Sequence, residues 1–408
     1  MKKPITWEYG PFEDCWQCKQ EGTFGILSIG GNRVTKRCTR CRYTHSEALP
    51  QLDKKVIYFD QFAFSELHKL RAGTRREDKW SQFWSEVDEL LNEAVLLQQV
   101  LLPHSNIHHK ETVVSPFASA LRETQEAVGG DIALLDTDEV QLRQIEEFVR
   151  AYFNNNEPKV EFNIDDVLSG QRNNWLSKMR ISVEMDWSRF AQETREGRDD
   201  THADVASLIE SWERSGFGFD EVIEHELSAY FDSRQQALMQ ALANLDKGLT
   251  ENDIWAMMSA TQSFVNREME IIRYYAKEAG VAEEGLARAT SLFWNWPKNS
   301  EQPFGRILAH LFAALAAQFK GGRKKLPTPG FLNDITAISA YLPYVDAMFI
   351  DNECAELLQH GRCRNDLNYN AAVFSLNTGN AFLRYVREII ECTPDNVRVT
   401  ATAIYGLD

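Results

Sequence analysis

Apolar residues follow two different rhythms along this chain. Short unbroken runs stand towards its two ends. Val56-Ile57-Tyr58-Phe59 lies in KKVIYFDQFAFSELHK, a second run precedes Glu111 in LLPHSNIHHKET, and Met348-Phe349-Ile350 lies in GFLNDITAISAYLPYVDAMFIDNECAELL. Short apolar runs bounded by polar residues predict buried strands. Between residues 115 and 325 the rhythm changes. Stretches such as DTDEVQLRQIEEFVRAYF, FDEVIEHELSAYFDSRQQALMQALANL and FGRILAHLFAALAAQF repeat apolar residues every three or four positions. That spacing predicts amphipathic helices, and Thr250-Glu251-Asn252-Asp253 supplies capping residues for one start. The closing NVRVTATAIYGLD, rich in β-branched residues, reads as a last strand.

These elements predict an α/β protein with a parallel-sheet core. Residues 54–114 and 328–408 form the core, residues 115–327 form a large helical insertion beside it, and residues 1–50 form a separate head. His225 and Tyr274 in the insertion are assigned to its core or surface. With 43% hydrophobic residues the chain has ample material for a buried interior. No apolar run approaches the roughly 20 residues of a membrane span. The start, MKKPITWEYGPFEDC, lacks the apolar centre of a secretion signal, so a cytoplasmic location is expected. Seven cysteines in such a compartment point to metal binding rather than disulfides.

The head carries the sharpest spacing. Cys15-x-x-Cys18 and Cys38-x-x-Cys41 are separated by 19 residues. Each pair turns two sulfurs towards one point, and two pairs close a tetrahedron, as in a four-thiolate zinc site. The intervening β-rich pieces around Gly30-Gly31-Asn32 read as a hairpin, making the unit a small β-rich zinc ribbon. Four cysteines leave no open coordination position, so this Zn²⁺ is structural. Cys354, Cys363 and Cys392 lack such spacing and read as buried thiols.

Charge is uneven. The chain carries −16 overall, which disfavours wholesale attraction to nucleic acid. Residues 1–55 hold ten Lys/Arg against six Asp/Glu, +4, leaving −20 for the rest. Arg33, Lys36, Arg37, Arg40 and Arg42 around the second cysteine pair could touch phosphates, as could Lys320, Arg323, Lys324 and Lys325 in the stretch from Lys320 to GGRKKLPTP. His104, His108 and His109 are weaker metal candidates, because no second histidine or cysteine group matches them.

Four acids have a shared context. Asp60 follows the first apolar run, Glu111 follows the second, Asp334 opens a predicted helix, and Asp351 follows the run ending at Ile350, 17 positions on from Asp334. An acid after a strand can simply cap the next helix. Strand ends of an α/β sheet are also where ligands bind. Carboxylates gathered there repel one another unless cations lie between them, and hard oxygen ligands suit Mg²⁺ or Mn²⁺.

In this order and context the four acids resemble those of the PIN domain family of metal-dependent ribonucleases. The resemblance covers residues 54–114 and 328–408. It implies a PIN-like core, with Asp60, Glu111, Asp334 and Asp351 as both metal ligands and catalytic residues. It further implies hydrolysis of phosphodiesters, most often in single-stranded RNA. Two departures stand out: the long insertion, and Ile350 where the family has threonine before its fourth acid. Asp346 and Glu353 are therefore rival ligands. A DNA-directed nuclease of the wider group and a non-catalytic nucleic-acid- or protein-binding scaffold are the competing readings. A toxin-like or phage-defence role rests on fold analogy alone. A homo-oligomer or a protein partner stays open.

Overall fold

The computed structural model describes residues 8–113, 115, 117–130, 132–177 and 205–407. Among the described residues eight strands fall into two sheets: β1 Tyr9–Glu13, β2 Phe24–Gly30, β3 Arg33–Cys38 and β4 Thr44–Ala48; then β5 Lys55–Phe59, β6 Val100–Leu101, β7 Ala347–Phe349 and β8 Ala372–Phe374. The first four pair antiparallel in chain order, with the expected turn at Gly31 and Asn32. The last four form a parallel sheet in the order β6-β5-β7-β8. The chain is thus mixed α/β.

Both faces of the parallel sheet are buried, as such sheets require. Alternation along β5 sends Val56 and Tyr58 to one face, with Met348, Phe331, Ile335 and Leu311. Ile57 and Phe59 go to the other, with Phe349, Phe83, Trp84 and Phe382. The helix Phe331–Tyr341 covers the first face, and the helices Gln61–Arg71, Ser81–Leu96 and Gly379–Glu391 cover the second.

The insertion is helical over most of its described length, with its own core around Ile145, Ile272 and Phe293. Buried Glu268 ties that core together through Tyr230, Arg234 and Trp294. It is not helical throughout. Residues 154–177 hold only the short 3-10 turn Ile164–Val167, and bridges from Ala133 to His104 and from Leu134 to Leu168 extend the sheet's edge. The end of this segment ties the antiparallel sheet to the parallel one. Trp175 N–H donates to Gly31 O, its indole to Pro50 O, Arg172 to Lys54 O, and Leu176 N–H to Gln98. Ile26, Ile29 and Val34 of the small sheet share one hydrophobic cluster with Ile57, Phe59 and Trp175.

Two expectations need correction. The C-terminal stretch is a helix, Asp395–Tyr405, not a strand. Buried Val397, Ala401 and Ile404 fall four and three apart, a helical period that overrides β-branched propensity. Cys392 is exposed, whereas Cys354 and Cys363 are buried. The strand β8 completes the sheet from only three residues, too short to register as a run. His225 and Tyr274 are both exposed. No described helix is long and apolar enough to cross a membrane.

Candidate metal and acid site

Parallel strands put all their carboxyl ends on one edge, and that edge gathers the acids. Asp60 follows β5 directly, and its N–H donates to Phe349 O in β7. The turn out of the strand makes Asp60 the N-cap of Gln61–Arg71, its Oδ1 accepting Gln61 N–H at 2.7 Å. Asp351, one residue beyond Ile350, caps Asn352–Leu358 in the same way, accepting Cys354 N–H at 2.6 Å. Capping and ligation are therefore compatible here: each cap uses one carboxylate oxygen and leaves another.

Asp334 lies in the first turn of Phe331–Tyr341, as its position predicted. Glu111 lies elsewhere than expected. It is not at a strand end but late in the helix Asn106–Val113, which follows the two-residue strand β6. The helix still delivers it to the cluster. A methyl placed on Gly330 would stand 3.5 Å from Glu111 Oε1 and 4.0 Å from Asp334 Oδ2, and Asn333 donates to Glu111 at 3.4 Å. A buried amide set, Gln61 to Thr112 and Gln125 to Gln61, locks this helix to the one that Asp60 caps.

The crowding has an electrostatic signature. Burial, then the charges of Glu111 and Asp351, push the Asp60 carboxyl well above its ordinary value, against the pull of the Gln61 and Asp351 amides. Burial, then Asp60, Glu111, Asp351 and Glu353, do the same to Asp334. Asp351 is raised by burial, opposed by the Cys354 amide and supported by Glu353. Asp60 and Asp334 are thus each within electrostatic reach of the other three acids, where like charges cannot all ionise without a cation.

Of the two rivals, Asp346 is excluded by direction. It precedes β7, at the opposite edge, where it holds Lys55 Nζ and Val56 N–H, both at 2.8 Å. Glu353 borders the cluster but is held by Arg323 at 2.6 Å. Cys354 was missed as a site residue. Its ligand atom and those of Asp334 and Asp351 lie within 4.8 Å of one another. The signal in the sequence is Asp351-x-x-Cys354, since the third position of a helix faces back to its cap.

Among the described residues no histidine joins the group. His108 is fully buried, stacks on Tyr58, and accepts Ser105 N–H at Nδ1, and burial lowers it to about 3. The Tyr58 hydroxyl is buried without a hydrogen-bond partner below the acids.

In the head, the four sulfurs also lie within 4.8 Å of one another, with Cys15–Cys41 at 3.6 Å and Cys18–Cys38 at 3.8 Å. A tetrahedron with metal–sulfur bonds of about 2.3 Å has edges of about 3.8 Å, so a metal fits. Burial would raise the Cys38 thiol, but Thr23 and the Cys41 and Arg40 amides bring it to about 6. Each cysteine turn closes on a left-handed residue, Lys19 or Arg42. The basic residues here are largely spent: Lys36 on Glu13 and Glu47, Arg37 and Arg42 on Glu8, Arg33 on Ser46.

A cleft of about 870 Å³ between the insertion helices Thr137–Phe153 and Phe264–Glu278 contains none of the four acids. Neither a protein-family model, nor a curated protein, nor a solved structure matches this chain.

One consequence is a pH-dependent strain. The folded chain keeps a proton on Asp60 above 3.8, where the unfolded chain has lost it. Without added divalent cation, stability therefore falls as pH rises through that window. Asp60→Asn preserves the cap and removes one charge. In thermal melts at pH 7 it should raise the midpoint by about 1–2 °C, a gain that shrinks towards pH 4. A variant less stable than wild type at pH 7 would contradict the crowding.

Proposed function

We propose that the chain is a metal-dependent nuclease with a PIN-like core that hydrolyses phosphodiester bonds in single-stranded RNA. The observation that carries this reading is the convergence of Asp60, Glu111, Asp334 and Asp351, from four separate segments, at the carboxyl edge of the parallel sheet. Asp60 and Asp351 are the central ligands for Mg²⁺ or Mn²⁺, with Glu111 and Asp334 binding directly or through water. When bound, such ions acidify a water and neutralise charge building on the phosphate.

The chain's own residues supply the rest. Caps on Asp60 and Asp351 fix the carboxylates before substrate arrives, which is the preorganisation catalysis needs. The attacking water forms its bond to phosphorus as the bond to the leaving sugar oxygen breaks, so no covalent nucleophile is required. Arg323, paired with Glu353 beside the cluster, is a cation at hand for a phosphate. In the head, Cys15, Cys18, Cys38 and Cys41 hold a structural Zn²⁺. The unpaired thiols fit a reducing, cytoplasmic setting.

Two tests follow. Metal analysis of the purified chain should find about one zinc, lost when Cys15 and Cys38 are both replaced by serine; a folded wild-type protein without zinc contradicts the assignment. On RNA and DNA oligonucleotides with Mn²⁺, wild type should cut single-stranded RNA. Asp60→Asn and Asp351→Asn should each lose about 100-fold or more, and the double variant little beyond that. Equal cutting by wild type and Asp60→Asn rules out this site. Cutting of DNA alone moves the substrate assignment, and no cutting of either favours the scaffold reading.

A further inference from the structure

A second feature of the same sheet edge has no part in binding metal. Beyond β8, the turn Leu376–Thr378 and the start of the helix Gly379–Glu391 face the start of Ser81–Leu96 across a cleft of about 490 Å³. That volume falls within the range of roughly 300–1,000 Å³ typical of small-ligand sites. Lys79, Trp80, Phe83 and Glu86 line one wall, Asn377 and Thr378 the other.

The cleft adjoins the acids. Asn377 N–H donates to Asn352 Oδ1 at 3.0 Å, and Asn352 is the neighbour of Asp351. Phe83, on the cleft floor, stacks on Phe349 at the end of β7, with centroids 6.1 Å apart. The floor is rigid, because a β-carbon at Gly379 would come within 2.7 Å of the Phe83 ring.

The aromatic wall is also held in place. Trp80 N–H donates to Asp78 at 2.8 Å, and Arg75 pins Asp78, Glu66 and Ser81. Trp80 is only half-buried, and the Lys79 ammonium stands 5.0 Å from its ring centroid. Among the described residues no carboxylate pairs with Lys79, whereas Glu86 is paired with Arg387. The cleft therefore offers an aromatic ring, a cation held by that ring but by no described carboxylate, and amide and hydroxyl groups, in a chain whose net charge is −16.

We propose that this cleft seats a nucleotide of single-stranded nucleic acid next to the one cut at the acids. A base stacks on Trp80, and Lys79 swings on its flexible stem from the ring to the adjoining phosphate. The proposal rests on the nuclease reading for the identity of its ligand. It supplies what the acids lack, a means of holding an anionic strand beside a negatively charged site.

The test uses the full, zinc-loaded chain carrying Asp60→Asn, so that bound strand is not cut. Fluorescence anisotropy with labelled oligouridylate should show binding roughly 10-fold weaker after Trp80→Ala, largely restored by Trp80→Phe. Lys79→Gln should reduce the salt slope of binding by about one. A 5-bromouridine oligonucleotide should cross-link at Trp80. Unchanged affinity after Trp80→Ala, or cross-links confined to other surfaces, overturns the proposal. If wild type cuts RNA and these variants do not differ, the cleft fails while the nuclease reading stands. If wild type cuts nothing yet oligouridylate binds through Trp80, the cleft stands and the nuclease reading fails. An oligonucleotide that binds no form of the chain overturns the cleft.

Discussion

Mutual repulsion among crowded carboxylates is the constraint on which this structure turns. A parallel sheet buried on both faces leaves only its strand ends open to polar chemistry, and here that edge is filled with acids. Each is fixed by an independent device: a cap for Asp60 and Asp351, a first helical turn for Asp334, an amide-locked helix for Glu111. The fold therefore holds together charges that would otherwise separate. Such an arrangement is costly unless a cation compensates it, and it leaves Asp60 and Asp334 inclined to keep their protons.

The rest of the molecule serves to hold that edge still. The antiparallel sheet joins the cluster of Ile57 and Phe59, one residue from Asp60. The segment ending in Trp175 and Leu176 ties the head, the start of β5 and the loop before β6 into one body. The insertion helix Pro303–Lys320 runs on to Arg323, whose contact with Glu353 closes one side of the cluster. Metal in the head and metal at the acids would thus act on one continuous core, although sulfur surrounds the first and mainly carboxylate oxygen the second.

Much of this was legible in the sequence, for local reasons. An apolar run ending in an acid marked both the strands β5 and β7 and the residues Asp60 and Asp351, because strand end, cap and site coincide. Paired CxxC turns marked the four-sulfur cluster by spacing alone. Other features were hidden because they depend on direction or distance. Asp346 and Asp351 flank one three-residue strand, and only the parallel sense of the sheet puts them at opposite edges. Cys354 reads as core until its helix is seen to turn it back on its cap. The backbone bonds of Trp175 span more than 100 residues and leave no local pattern. The terminal helix is masked by its β-branched composition, and only the spacing of Val397, Ala401 and Ile404 betrays it.

The most direct measurement of the central claim is calorimetric titration of the zinc-loaded chain with Mn²⁺ near pH 7, repeated in buffers of different ionisation enthalpy. If the four acids form one crowded cation site, binding should be saturable at one or two ions per chain. It should also release protons, because the raised carboxyls must ionise to ligate. Binding that releases no protons and is unchanged in Asp351→Asn would contradict the account.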